Sequence, residues 1–448
     1  MAPSLEQEAS PQLSVHESFL VAPSPPVPET ASLPLTFLDV VWLNSPPVER
    51  VFFYRLTCGA DGIADILSNL RIWLSEALRT FYPLAGRLRV TPGTSDRYEL
   101  YYQPGDGVTF TVAELDADVD ELAADEPREV ARILPLVPRL PDGGAVLAVQ
   151  ATVLRGGRGL AVGLTLQHAA CDGASSTRFL HTWAAAGTGE GAPAPPVVDR
   201  ALVNDPSGGR PLYDLPSTDE MEYVKMADDQ LVATFTLSKE DIQRVKDAVD
   251  AAGEPRCSSL VATFGMVWSC YERAKDNSAS DSGGETYLLV PVDQRARMKP
   301  DPIPDEYFGN CIGAAMHPAA KNQLAEADAV GLLTTCRAVA AAIERAVGEV
   351  ASPEMAALWM GRIREAVTSG GGLLTVAGSP RFRVYDVNFG FGRPAKVEIM
   401  SVARTGVMAV AESRRSSGGM EVGMSLPPAG MQRFSECFLD AITWLHHH

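Results

Sequence analysis

Residues 159–183 read GLAVGLTLQHAACDGASSTRFLHTW, and a strand, a turn and a helix follow one another within them. Val162, Leu164, Leu166 and His168 recur at every second position, the period of a strand with one apolar face, while Gln167 points the other way. Asp172-Gly173 marks a turn. From Ser175 the spacing becomes helical, with Phe179 and Trp183 one turn apart and Leu180 beside them. His168 therefore ends an apolar face and stands where a rigid strand gives way to a helix. These residues alone allow two readings, a core histidine held by a backbone carbonyl with Asp172 as helix cap, or a base presented for chemistry.

Working outward, each half of the chain mixes strands with helices, which predicts the α/β class. Upstream, 1–34 is rich in Pro, Ser and Glu and reads as an extended lead-in. A β-type run, Val51–Leu56, precedes a helix with Ile63, Leu67, Leu70, Leu74, Leu78 and Phe81 on one side, stopped by Pro83. Strands are expected at 97–102 and 145–153. Downstream, 186–216 is dense in Gly and Pro without hydrophobic period, too long for an ordinary loop. It divides the chain into an N-terminal domain, 1–190, a crossover, 191–222, and a C-terminal domain, 223–448. The second domain restarts with a strand at 231–237 and a helix capped by Ser238 with Asp241. Ser258-Ser259 opens a helix carrying Leu260, Phe264, Val267, Trp268 and Tyr271. A strand at 287–292 leads to Asp293-Gln-Arg295, and two Ala-rich helices precede Gly370-Gly371-Gly372. Further strands are expected near 382–388, 395–403, 407–412 and 420–426, before a closing helix.

The 448 residues carry a net charge of −18 and are 46% hydrophobic, an ordinary globular balance without the basic surface that nucleic acid or anionic membrane requires. No apolar run reaches membrane-spanning length and the first residues lack a signal-peptide pattern, so the expectation is a cytoplasmic protein. The seven cysteines are scattered without a C-x-x-C pair, which predicts reduced thiols and no metal site.

A set of segments in fixed order narrows the reading: LPLTFLD (33–39), FYPLAGR (81–87), His168-x-x-x-Asp172-Gly173, VDQRAR (292–297), Tyr307-Phe-Gly-Asn-Cys311, AGSPRF (377–382) and Asp386-Val-Asn388-Phe389-Gly390-Phe391-Gly392-Arg393-Pro394. In these the chain resembles the plant BAHD acyl-CoA-dependent acyltransferases, and within them the branch that acylates flavonoid, anthocyanin and other phenolic glycosides. The resemblance implies two similar chloramphenicol-acetyltransferase-like domains, each around a mixed sheet, with an interface tunnel that admits acyl-CoA at one mouth and a small-molecule acceptor at the other. It implies acyl-CoA as co-substrate with no permanently bound cofactor, malonyl favoured over hydroxycinnamoyl as the acyl group, and a monomer. Condensation domains of peptide synthetases share the histidine motif but carry a second histidine where this chain has Gln167. A catalytically silent relative acting as scaffold or regulator, and an amine acceptor, are the alternatives.

The chemistry suits the residues. Moving an acyl group from thioester to alcohol requires that the hydroxyl lose its proton as it attacks, and imidazole, with an ordinary pKa of about 6.5, can take that proton and return it to the departing thiolate. His168 is the expected general base. By resemblance, Asp172 is structural support, ion-paired with Arg295 across the domains. Cys171 offers a rival acyl-enzyme path, against its reading as a small turn residue. Ser258, Ser259 and Arg393 match regions that line the cofactor channel in relatives. A malonyl carboxylate needs a cation, for which Arg178, one helix face from the base, is the candidate. Asn388 and Phe391 depart from the family's D-F-G-W-G, which predicts weaker arginine pairing there unless Asp386 substitutes.

Overall fold

The structure, a computed structural model, describes residues 12–205, 212, 229–253, 257–275, 284–326, 329–368 and 372–447. Much of the expected crossover, and Gly370-Gly371 with it, lies outside these residues.

Two mixed sheets organise the chain. The first runs in the order 14–21, 108–115, 147–154, 159–166, 48–55 and 396–399, and the second in the order 312–320, 285–293, 373–378, 407–412, 420–426, 231–237 and 128–129. In the first, Val108–Leu115 and Leu147–Leu154 are parallel and the other neighbours antiparallel. A small third sheet joins 31–34, 98–102 and 87–90.

Each half lends the other a strand. Lys396–Ile399 pairs antiparallel with Arg50–Phe53, while Arg128–Glu129 pairs with Leu231–Val232. Buried charges follow the exchanged strands: Arg128 Nη2 lies 2.5 Å from Glu398 Oε1 and Lys396 Nζ 2.6 Å from Asp125 Oδ1. Removing one member of such a pair strands a charge out of water, which holds the two halves in one register.

The helices Ala60–Thr80 and Gly173–Thr188 cover one face of the first sheet. Leu70, Leu74 and Leu78 meet Phe179, Leu180 and Trp183 over Phe52, Tyr54, Val162 and Leu164. Trp183 donates its indole N–H to the Leu70 carbonyl at 3.0 Å, so even this polar atom of the core is satisfied. Burial of each large apolar side chain contributes about 1.5–3 kcal/mol, and the shared layer fixes the helix that follows His168. The second core forms around Phe264, Val267, Trp268, Val422 and Phe434.

Several expectations change. Ser14–Val21 is an edge strand, not lead-in; its residues are mostly exposed, so the sequence carries no apolar alternation to announce it. Ala31–Pro34 pairs with 99–102 for the same reason unseen. Val108–Leu115 is also a strand. The stretch 380–386 forms two 3₁₀ turns around Arg383, whose φ of 53° is left-handed, and the strand lies earlier, at Leu373–Gly378. Past Ile399 the chain turns into a short helix, Val402–Thr405.

Candidate active site

His168 opens a 3₁₀ turn, His168–Ala170, two residues beyond the strand Gly159–Leu166. Gln167 N–H donates to the Val146 carbonyl at 2.8 Å and Ala170 N–H to the Gln167 carbonyl at 3.0 Å, which ends one element and closes the next. Asp172 then caps the helix, its Oδ1 accepting from Ser175 N–H at 2.9 Å. Gly173 follows because a Cβ there would stand 2.7 Å from the Phe382 ring. Only a residue without a side chain lets the second half approach so closely.

Three distant stretches fix the turn. The imidazole stacks on the Trp42 indole, centroids 3.9 Å apart and planes within 8°. Trp42 follows the helical turn Phe37–Val40, which Thr36 and Asp39 cap reciprocally. Asp39 is fully buried; its Oδ1 accepts from the main-chain and side-chain N–H groups of Asn310, both at 3.0 Å. Asn310 Nδ2 also donates to the His168 carbonyl at 2.9 Å, and Arg200 Nη1 lies 3.5 Å from Asp39 Oδ2. His168 is thus held through its backbone and one ring face.

The Asp172 carboxylate is bonded to groups other than the imidazole. Arg295 Nη1 lies 2.9 Å from its Oδ2 and Nη2 3.1 Å from its Oδ1, while Cys311 N–H donates to Oδ2 at 3.0 Å. With Ser175 N–H this uses both oxygens twice, the bidentate fork that suits a guanidinium. The carboxylate raises the Arg295 pKa against the opposing effect of burial. Arg295 further donates to the Tyr307 carbonyl at 3.2 Å, so the 307–311 segment closes over the pair.

Burial lowers the His168 pKa from its ordinary value; its own carbonyl, Asp172 and Asn310 oppose this, and the positive charge of Arg50 adds to it. Nδ1 is buried without a hydrogen bond among the described residues. A neutral imidazole is the form that accepts a proton. Cys171 is buried, and burial together with the Asp172 charge pushes its thiol well above the ordinary range. That is the opposite of an activated nucleophile.

The other expected residues lie apart. Ser258 accepts from Val261 N–H at 3.2 Å as a helix cap, and Ser259 Oγ accepts from Lys246 Nζ at 2.8 Å. Arg178 donates to the carbonyls of Ala194 and Asp305, each at 3.2 Å, and so secures the start of the crossover. Arg393 is exposed and 3.0 Å from Asp386, which also pairs with Arg383. Asn388 Oδ1 accepts from Gly390 and Gly392 N–H at 2.9 and 3.0 Å, bonds a carboxylate would also make. Phe389 meets Trp183 edge-on at 4.8 Å and Phe391 meets Tyr54 at 5.0 Å. This loop packs near Gly187, at the far end of the helix that Asp172 caps. Sequence reasoning did not single out Trp42, Asp39, Asn310 or Arg200, although LPLTFLD and the 307–311 motif contain Asp39 and Asn310.

Among the described residues no helix is long and apolar enough to cross a membrane. A family model described as "Transferase family" matches residues 12–440. Phenolic glucoside malonyltransferase 1 of Arabidopsis thaliana is 32% identical, over 89% of this chain and 91% of that protein. Malonyl-CoA:anthocyanidin 5-O-glucoside-6''-O-malonyltransferase of the same plant is also 32% identical, over 94% and 96%. In three dimensions the chain is similar to vinorine synthase, with a TM-score of 0.69 and 21% identity over 94% of this chain and 96% of that one. The two mixed sheets, the order of the motifs and these likenesses together place the chain in the transferase family of BAHD acyltransferases, and it is an acyltransferase.

Proposed function

We propose that the protein transfers an acyl group, malonyl in the first instance, from coenzyme A to a hydroxyl of a phenolic or flavonoid glycoside, with His168 as general base. Two malonyltransferases of glucosides at 32% identity support the donor and acceptor class. The observation that carries the mechanism is the pairing of Asp172 with Arg295, which leaves the stacked, neutral imidazole of His168 to act without a carboxylate on its ring.

The acceptor O–H gives its proton to His168 Nε2 as its oxygen attacks the thioester carbonyl. The C–S bond then breaks, and the imidazolium returns the proton to the thiolate. A thiolate, whose conjugate acid has a pKa of about 8.5, leaves without a strong separate acid. Both substrates are present together in this path, and no acyl-enzyme forms, since the Cys171 thiol is held protonated by burial. The helix starts at Ser258-Ser259 and the Arg393 side chain are the proposed contacts for coenzyme A, the first because helix N-termini favour phosphate. The Asn388 loop keeps its internal hydrogen bonds, which supports an active enzyme over a silent scaffold.

A panel of acyl-CoA donors and phenolic glucosides, read by mass spectrometry, tests this. Malonylated glucoside is expected; no acyl transfer over a broad panel, with the fold intact, contradicts it.

A further inference from the structure

Among the described residues four arginines are nearly fully buried: Arg50, Arg128, Arg200 and Arg295. Three face a carboxylate: Arg128 with Glu398, Arg200 with Asp39, Arg295 with Asp172. Arg50 does not. Its one hydrogen bond among the described residues runs from Nη1 to Thr177 Oγ1 at 3.3 Å, and its buried Nε has no partner there. Burial without a nearby anion lowers its pKa to about 10, the mark of a guanidinium in a place that disfavours its charge. A desolvated cation with spare donors is stabilised by any anion that can reach it.

The position is specific. On the strand Val48–Arg55 the side chain of Arg50 shares a face with Phe52 and Tyr54, where alternation calls for a third apolar residue. Arg50 pairs with Leu164, four residues before His168, and its Nη2 would lie 3.8 Å from a Cβ on Gly173, five residues after it. The guanidinium therefore sits beside the first turn of the helix that carries the motif, close enough for its charge to act on the imidazole.

Arg50 also lines a narrow cleft between the two sheets, with Phe382, Val384, Ile399 and Val410. The two carboxylates of this cleft are already engaged, Glu398 by Arg128 and Lys396, and Glu421 by Arg414 and the Tyr385 hydroxyl. A negative group entering the cleft meets one guanidinium that faces no carboxylate among the described residues.

We infer that Arg50 is the specificity residue that receives the free carboxylate of a short dicarboxylic acyl group, so that the enzyme selects a malonyl-type donor over neutral acyl-CoA. This rests on the acyl-CoA reading of the site given above. It moves the role from Arg178, whose guanidinium is committed to two backbone carbonyls.

The test is equilibrium binding of malonyl-CoA and acetyl-CoA by calorimetry, to the full chain, to Arg50→Gln and to Arg50→Lys, with melting temperatures as the check on folding. The ratio of malonyl-CoA to acetyl-CoA affinity is expected to fall at least tenfold in Arg50→Gln, and Arg50→Lys to recover part of it. An unchanged ratio in folded Arg50→Gln overturns the inference, whatever the turnover. Absence of binding by either thioester contradicts the acyl-CoA reading itself and the inference with it. Should Arg50→Gln not fold, the lysine variant decides: a ratio equal to that of the unaltered chain, despite loss of the planar fork, counts against a guanidinium receptor.

Discussion

Arg295 holds Asp172 through both carboxylate oxygens, at 2.9 and 3.1 Å, and so joins the turn after His168 to the segment that follows the 285–293 strand of the second sheet. The pair lies out of water, with 2% and 0% side-chain exposure. Asp172→Ala is therefore expected to lower stability by about 3–5 kcal/mol, because an unpaired guanidinium stays buried. Arg295→Ala should cost a similar amount, and the double variant far less than the sum. Urea unfolding measures all three. Whatever activity survives in Asp172→Asn should keep the pH profile of the unaltered enzyme; a shifted profile would make Asp172 part of the proton path.

The acid limb of kcat/KM reports the imidazole. Burial lowers its pKa, so the limb is expected below about 6.5, with activity rising as pH rises through it and flat near neutrality. The sign is that of a base: protonation at low pH removes the acceptor for the hydroxyl proton. Since the Arg50 charge disfavours protonation, Arg50→Gln should move this limb to higher pH. A profile recorded with a neutral acyl donor separates this effect from donor binding.

Trp42 holds the ring by stacking at 3.9 Å. Aromatic pairs contribute about 0.5–1.5 kcal/mol beyond area, so Trp42→Ala should cut kcat at least severalfold and Trp42→Phe much less. Steady-state kinetics at saturating donor decides; equal loss in both variants would point to the indole N–H instead.

Asn388→Ala removes an oxygen that accepts two exposed main-chain N–H groups, which water can then reach, and is expected to cost about 0.5–1.5 kcal/mol. Asn388→Asp should be close to neutral in stability, because a carboxylate oxygen accepts the same bonds. Thermal unfolding of the two variants checks this.

The strand, turn and helix around His168 were legible because each carries a short-range period and the cap is local. The helix starts at Ser238 and Ser258 were legible for the same reason. What escaped the sequence is long-range or breaks its own pattern. Asp39 and Asn310 are 271 positions apart, and nothing in either neighbourhood announces the other. A charged residue within a strand reads as solvent-facing, yet Arg50 is turned inward. The edge strand Ser14–Val21 has little apolar face to display, and the 379–388 stretch owes its turns to Arg383 in a left-handed conformation that its residue type does not suggest. The resemblance to BAHD acyltransferases supplied motif order; the structure supplied which donor meets which acceptor atom.

In the proposed mechanism one imidazole carries the transfer without a covalent intermediate. Mixing the protein with malonyl-CoA in a rapid-flow instrument and following free thiol, with and without a phenolic glucoside, tests it most directly. Thiol should appear only when the glucoside is present, one for each glucoside acylated. It should slow by about 10²–10⁴-fold in His168→Ala and persist in Cys171→Ala. A burst of thiol without acceptor, or undiminished release from His168→Ala, would contradict the account.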